Sequence, residues 1–181
     1  MRIVAGQHRS RRLVVPSGTG VRPTSDRARE AVFASLGARV VGARVLDLFA
    51  GSGALGLEAL SRGASSCRFV ERDAAALDAI RANVVALGEE ERATVEKANA
   101  LTALARLVAA AEAFDLILVD PPYDAVEAVA PRLAELLPQA LAEGGRLVLE
   151  TGADAAIAVP GMTETYNRRI AAARIVILGA A

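Results

Sequence analysis

The chain has 181 residues, which at roughly 100–200 residues per domain makes one compact domain, so any substrate-recognition element must be small. Hydrophobic residues make up 53% and charged residues 23% of it, enough apolar material to exclude a disordered chain. The formal net charge is zero, which on its face speaks against a nucleic-acid partner, yet the charge is unevenly spread. Residues 1–30 carry seven Arg against Asp26 and Glu30, residues 31–110 balance, and residues 111–181 carry five Arg against ten acids.

A single cysteine, Cys67, excludes an internal disulfide, and with a lone His8 it leaves too few soft ligands for a structural zinc site. No apolar run approaches the roughly 18–20 residues of a membrane span, and the basic N-terminus lacks a signal-peptide core, so a cytoplasmic protein is expected.

The opening residues hold two short β-type runs, Arg2–Ala5 and Leu13–Val15, around a basic stretch. They predict a hairpin with an arginine-bearing loop. Pro16, Gly18, Gly20 and Pro23 then impose an irregular crossing. Thr24-Ser25-Asp26 are helix N-cap types, Ala28, Val32 and Leu36 form one stripe, and Gly37 ends the helix. From Arg44 strands and helices alternate. Strands are expected at Arg44–Phe49, Arg68–Glu71, Thr94–Glu96, Phe114–Val119 and Arg146–Glu150. Helices are expected from Gly53 to Arg62, over Ala74–Leu87 with Gly88 as stop, near Leu101–Ala111, and, interrupted by prolines, near Val126–Leu141. Apolar strands separated by helical stretches predict a mostly parallel α/β sheet with helices on both faces. Thr163–Ile170 and Arg174–Leu178 lie too close for a crossover and predict an antiparallel hairpin at the sheet edge. The expected organisation is one domain, with residues 1–23 as a basic arm and 24–181 as the core.

Two constellations carry chemistry. Asp47-Leu48-Phe49-Ala50-Gly51-Ser52-Gly53-Ala54-Leu55-Gly56 stands where a strand gives way to a helix, and glycines there let the backbone approach a ligand at a helix N-terminus. Gly51, Gly53 and Gly56 fit the dinucleotide fingerprint, and Glu71, twenty residues after Gly51, is placed to accept from ribose hydroxyls. The other reading is a tight turn with Glu71 capping its strand. Asp47 suits a ligand bearing an ammonium group better than a pyrophosphate, which favours S-adenosylmethionine over a nicotinamide; its alternative role is to cap backbone N–H groups nearby. The second constellation is Asp120-Pro121-Pro122-Tyr123, directly after an apolar strand. Asp120 is an anionic acceptor, the prolines stiffen the backbone and leave the carbonyls of Pro121 and Pro122 as acceptors, and Tyr123 can stack on a base. Such a cluster can bind both hydrogens of an exocyclic amine. In the basic arm, Arg9, Arg11 and Arg12, followed by Arg22, are the residue type that grips phosphates without reading bases. Only six aromatic residues make a single-strand stacking platform a poor fit, and structured RNA fits better.

These residues resemble the RsmD-type bacterial 16S rRNA guanine-N2 methyltransferases over nearly the whole chain. The resemblance is carried by Arg2-Ile3-Val4-Ala5-Gly6, Arg22-Pro23-Thr24-Ser25-Asp26-Arg27, Leu46–Ala64, Glu71 and the Asp120–Tyr123 tetrapeptide, the last shared with adenine-N6 and cytosine-N4 methyltransferases. It implies a Rossmann-like class I methyltransferase sheet and methyl transfer to the N2 amine of the guanine at rRNA position 966. It also implies S-adenosyl-L-methionine as cofactor, S-adenosyl-L-homocysteine as product and no metal. The cofactor would be held by Thr24, Asp47, Phe49, Ala50, Gly51, Ser52, Gly53, Glu71, Arg72 and Asp120, with Asn99-Ala100 bordering the adenine. Asp120, Pro121, Pro122 and Tyr123 would hold the target amine, and Arg9, Arg11, Arg12, Arg22, Arg168 and Arg169 the RNA. The expected partner is 16S rRNA within a small-subunit particle, bound by a monomer. Near Arg168-Arg169 the family often carries Tyr-Gly where this chain has Ile170-Ala171. The alternatives are a DNA amino-methyltransferase, which shares the chemistry but would need a DNA-reading domain, and a nicotinamide-dependent oxidoreductase, which leaves the tetrapeptide unexplained. A non-catalytic RNA-binding module is the third alternative.

Overall fold

A computed structural model describes residues 1–16 and 25–180. Helix α1 (Asp26–Leu36) starts where the Ser25 hydroxyl accepts the Ala28 N–H at 3.1 Å and ends at Gly37, and its Ala28, Val32 and Leu36 stripe is buried. The alternating part follows the expected order: β1 (Arg44–Leu48), α2 (Ala54–Ser61), β2 (Ser66–Glu71), α3 (Ala74–Leu87), β3 (Ala93–Lys97), α4 (Ala100–Ala109), β4 (Phe114–Val119), α5 (Val126–Ala140) and β5 (Leu141–Gly152). The chain then closes with β6 (Met162–Ile170) and β7 (Ala173–Ala180).

The seven strands form one sheet in the order β3-β2-β1-β4-β5-β7-β6. Strands β1 to β5 pair in parallel, and β7 inserts antiparallel between β5 and β6. The expected edge hairpin is therefore present. Because the sheet is covered on both sides, each strand sends successive side chains into two apolar layers. Val45, Leu116, Leu118 and Val148 pack with α1, α2 and α3, whereas Leu46, Leu48, Ile117 and Leu147 pack with α4 and α5.

Three elements differ from expectation. Helix α5 continues through Pro131 and Pro138; each proline forgoes one backbone hydrogen bond, but the buried Leu133, Leu136, Leu137 and Ala140 hold the helix on the sheet. Strand β5 begins at Leu141 and absorbs Gly144 and Gly145, with a register shift against β4 between Phe114 and Leu116. Gly144 takes φ +72° there, where the pairing with β4 is irregular. The N-terminal hairpin is reduced to one antiparallel bridge, Arg2 to Arg12. Its two halves exchange a few backbone bonds, Ile3 N–H to the Arg11 carbonyl and Ser10 N–H to the Ile3 carbonyl, each at 2.9 Å, and other N–H groups turn to a helix: those of Val4 and Ala5 donate to Glu58 at 2.8 and 3.0 Å, and that of Gln7 to the Ser61 carbonyl at 2.7 Å.

Candidate active site

Strand order reverses between β1 and β4, and the crevice beyond their carboxyl ends is where open α/β sheets take ligands. The glycine loop lies there. Phe49 leaves β1 with φ +60°, a conformation that a bulky residue adopts only under constraint, and Gly51 and Gly53 follow at +55° and +76°. Gly53 N-caps α2, and its N–H donates to the Ala50 carbonyl at 2.7 Å. The twenty residues between Gly51 and Glu71 close to contact: one Glu71 oxygen accepts the Gly51 N–H at 2.9 Å, the other those of Arg72 and Asp73 at 2.7 and 2.9 Å. Three of about four acceptor positions of this carboxylate are thereby used. A ribose placed here would take the remaining one or replace the Gly51 N–H. Arg72, next to it, is exposed.

Asp47 takes the second of its two possible roles. Its carboxyl is buried beneath α2 and accepts the Gly56 N–H at 2.9 Å. Burial raises its pKa from 3.8 to about 8 against the opposing pull of that N–H, and Glu71 adds to the rise. Protonated at neutral pH, it offers a ligand's ammonium no full charge. Gly56 is required at this spot, since a Cβ would lie 2.4 Å from the Phe69 ring and 2.6 Å from the Cys67 sulfur. Burial, and secondarily Asp47, push the Cys67 thiol well up.

Beyond β3, Asn99 caps α4 by accepting the Leu101 and Thr102 N–H groups at 3.0 and 3.3 Å. Ala100 is buried with Leu48 and Val70, and Phe49, Ala98 and Leu101 pack half-buried on the same cluster. The loop thus has an apolar side fit for an aromatic base and a carboxylate side fit to accept from a diol, the two parts that an adenosine presents.

Asp120 follows β4 at the same sheet end, its N–H towards the Leu48 carbonyl at 3.4 Å. Pro121 is buried and Pro122 exposed. One expectation is corrected here: the Pro122 carbonyl accepts the Ala125 N–H at 2.9 Å, because the chain turns at once into a short 3-10 segment, Tyr123–Ala125. The turn thus occupies one of the two acceptor positions of the Pro122 carbonyl. The Tyr123 ring lies on the glycine face of Gly152 in β5, and the side chain is 42% exposed. Sequence reasoning missed Glu150. It is buried near the end of β5, next to Leu149, whose register partner Val119 precedes Asp120. With Ser25, Tyr123 and residues 170–173 it lines a small cleft of about 40 Å³, so the Ile170-Ala171 departure falls beside the Asp120–Tyr123 tetrapeptide. Asp120, Tyr123 and Glu150 each make further interactions. The signal that could have found Glu150 is its place: like Asp120, it directly follows an apolar run, here Leu147–Leu149.

The arm's Arg9 and Arg12 are exposed, while the Arg11 guanidinium donates to the Ala86 carbonyl at the end of α3 at 2.7 Å. Arg168 and Arg169 are exposed on the outer strand β6, Arg169 facing Asp154 at 3.6 Å. The structure brings the glycine loop, Glu71 and Asp120 together; the arm lies on α1, α2 and α3. Arg22 and Thr24 lie outside the described residues.

A ribosomal RNA small subunit methyltransferase D of Escherichia coli (strain K12) is 43% identical over 123 residues, 68% of this chain. The matched stretch spans 60% of that relative's length. YlbH of Bacillus subtilis (strain 168) is 42% identical over 123 residues, covering 68% of this chain and 67% of the relative. The solved structure of yhhF from Escherichia coli superposes with a TM-score of 0.83 at 32% identity, covering 99% of this chain and 97% of that one. With the family model "Conserved hypothetical protein 95" matching residues 1–179, the chain belongs to that family, the RsmD-type family its motifs resemble.

Proposed function

We propose that the protein is an S-adenosylmethionine-dependent methyltransferase that modifies the exocyclic N2 amine of a guanine in small-subunit ribosomal RNA. One juxtaposition carries the reading: the loop of residues 49–53 with Glu71 faces the Asp120–Tyr123 tetrapeptide across the reversal point of a single sheet. When bound, the cofactor supplies a methyl group already attached to a good leaving group. The chain's task is then positioning, which lowers the barrier by several kcal/mol. Glu71 and the apolar side of the loop hold the adenosine. Asp120 and the Pro121 carbonyl accept the two amine hydrogens, turning the nitrogen lone pair towards the methyl, and Asp120 stabilises the positive charge that grows on nitrogen. The proton then leaves to water or to Asp120. Tyr123 stacks on the guanine, which must be unpaired or turned out of its helix to reach Asp120. The exposed arm arginines Arg9 and Arg12 hold phosphates.

The test is methyl transfer to small ribosomal subunits from an unmodified strain, with the product nucleotide identified by mass spectrometry. N2-methylguanosine is the expected product. Asp120→Ala should lower turnover by at least 100-fold while S-adenosylhomocysteine binding changes by less than about threefold. Turnover near wild type in that variant would remove the amine clamp, and methylation of DNA instead would remove the RNA reading.

A further inference from the structure

One buried amide joins the N-terminal arm to the glycine loop. Asn83, on α3 and 1% exposed, accepts the Val14 N–H at 2.7 Å and donates to the Val14 carbonyl at 3.0 Å and the Ser52 carbonyl at 3.1 Å. It pairs with Val14 as a neighbouring strand would, and its second N–H holds the loop between Gly51 and Gly53. A further link runs from the Ser52 hydroxyl to the Met1 sulfur at 3.5 Å. The rest of the arm is fastened to the two helices that start directly after the loop and after Glu71, and to α1, whose Arg29 donates to the Arg2 carbonyl at 2.6 Å. Glu58 and Ser61 of α2 take its backbone N–H groups, and His8 meets Glu89, just beyond α3, at 2.6 Å. Ile3 and Leu13 are buried in the core beneath.

We infer that Asn83 is a positioning residue through which docking of the arm sets the cofactor loop, so that a ligand on the loop and a ligand on the arm's exposed arginines strengthen each other's binding. The inference rests on the reading that the loop holds S-adenosylmethionine. Its direction follows from hydrogen bonding. With the arm displaced, the Asn83 amide loses both Val14 partners in a buried place and the Ser52 carbonyl loses a fixed donor. A ligand that needs the loop in its docked geometry therefore selects the docked arm, and by linkage whatever grips the docked arm tightens the loop's ligand by the same factor.

Calorimetric titration with S-adenosylhomocysteine tests this on wild type, Asn83→Asp, Gly6→Ala and the double variant. Asn83→Asp keeps the acceptor for the Val14 N–H and removes both donors. Gly6→Ala acts from a distance: Gly6 has φ +84°, and a Cβ there would lie 2.0 Å from the Ser61 carbonyl oxygen, so the arm must move while the loop is untouched. Each single variant should weaken binding about tenfold, and the double no further, because both break the same link. Wild-type affinity in a folded Gly6→Ala protein overturns the inference, as do losses that add in the double variant. Amide exchange on the wild-type protein keeps the inference testable even if the variants fail to fold. S-adenosylhomocysteine should protect residues 2–14 together with 51–53. Protection of the loop with an unaltered arm overturns the inference and leaves the cofactor reading standing, whereas an unprotected loop removes both.

Discussion

Asp47 holds its proton to about pH 8 because burial removes water and the Gly56 N–H compensates only in part. In the unfolded chain the same carboxyl ionises near pH 4, so unfolding between these values releases a proton. The folded state therefore binds more protons, and this group's contribution, complete below about pH 4, is lost as pH rises towards 8, by up to roughly 1.4 kcal/mol per pH unit. Asp47→Asn retains an acceptor for Gly56 and cannot ionise. Its stability in urea unfolding should match wild type near pH 4 and exceed it increasingly towards pH 8; a constant difference across that range would mean that Asp47 is charged in the fold. The neighbouring Gly56→Ala tests packing alone. The new methyl meets Phe69, Cys67 and Asp47 at once, and a loss of about 1–3 kcal/mol or more is expected in the same assay at any pH.

The elements that place the site were readable because their ends carry chemistry. Ser25 and Gly37 bound α1, Gly88 ends α3, and the glycines of residues 51–56 mark the passage from β1 to α2. Apolar runs flanked by helices imply parallel strands, and parallel strands put Glu71 and Asp120 at one end of the sheet. What stayed hidden depends on partners distant in sequence. The runs Arg2–Ala5 and Leu13–Val15 have strand composition and share a few backbone bonds, yet Glu58, Ser61 and Asn83 take the outward N–H groups that a longer sheet would pair. The Pro122 carbonyl takes part in a local turn, and Glu150 enters the cleft only through the β4–β5 register. The Gly144-Gly145 pair looks like a break until the register shift of β5 gives it a use.

Over the whole molecule the zero net charge resolves into a basic arm on α1, α2 and α3 and an acidic excess in the segment that carries Asp120. Replacing Arg9 and Arg12 together by Ala should weaken binding of a small-subunit rRNA fragment. It should also lower the slope of log affinity against log salt by about 0.7–0.9 for each phosphate that is no longer gripped, as read by filter binding over a salt series. Arg11→Ala should in addition loosen the arm, since that side chain holds Ala86. An unchanged slope in the first variant would leave the arm a solvated surface. The arm's hydrogen bonds to Glu58, Asn83 and Glu89 reach across 53 to 81 residues of chain. Although it is made before the helices it bonds to, the arm cannot seat until the chain as far as Glu89 has left the ribosome, and in refolding it should join a sheet already formed. Ile3→Ala should therefore hasten unfolding and barely slow folding in stopped-flow experiments. An enzyme proposed to act on ribosomal RNA would thus hold its own RNA-gripping segment unseated while it is still tethered to a ribosome.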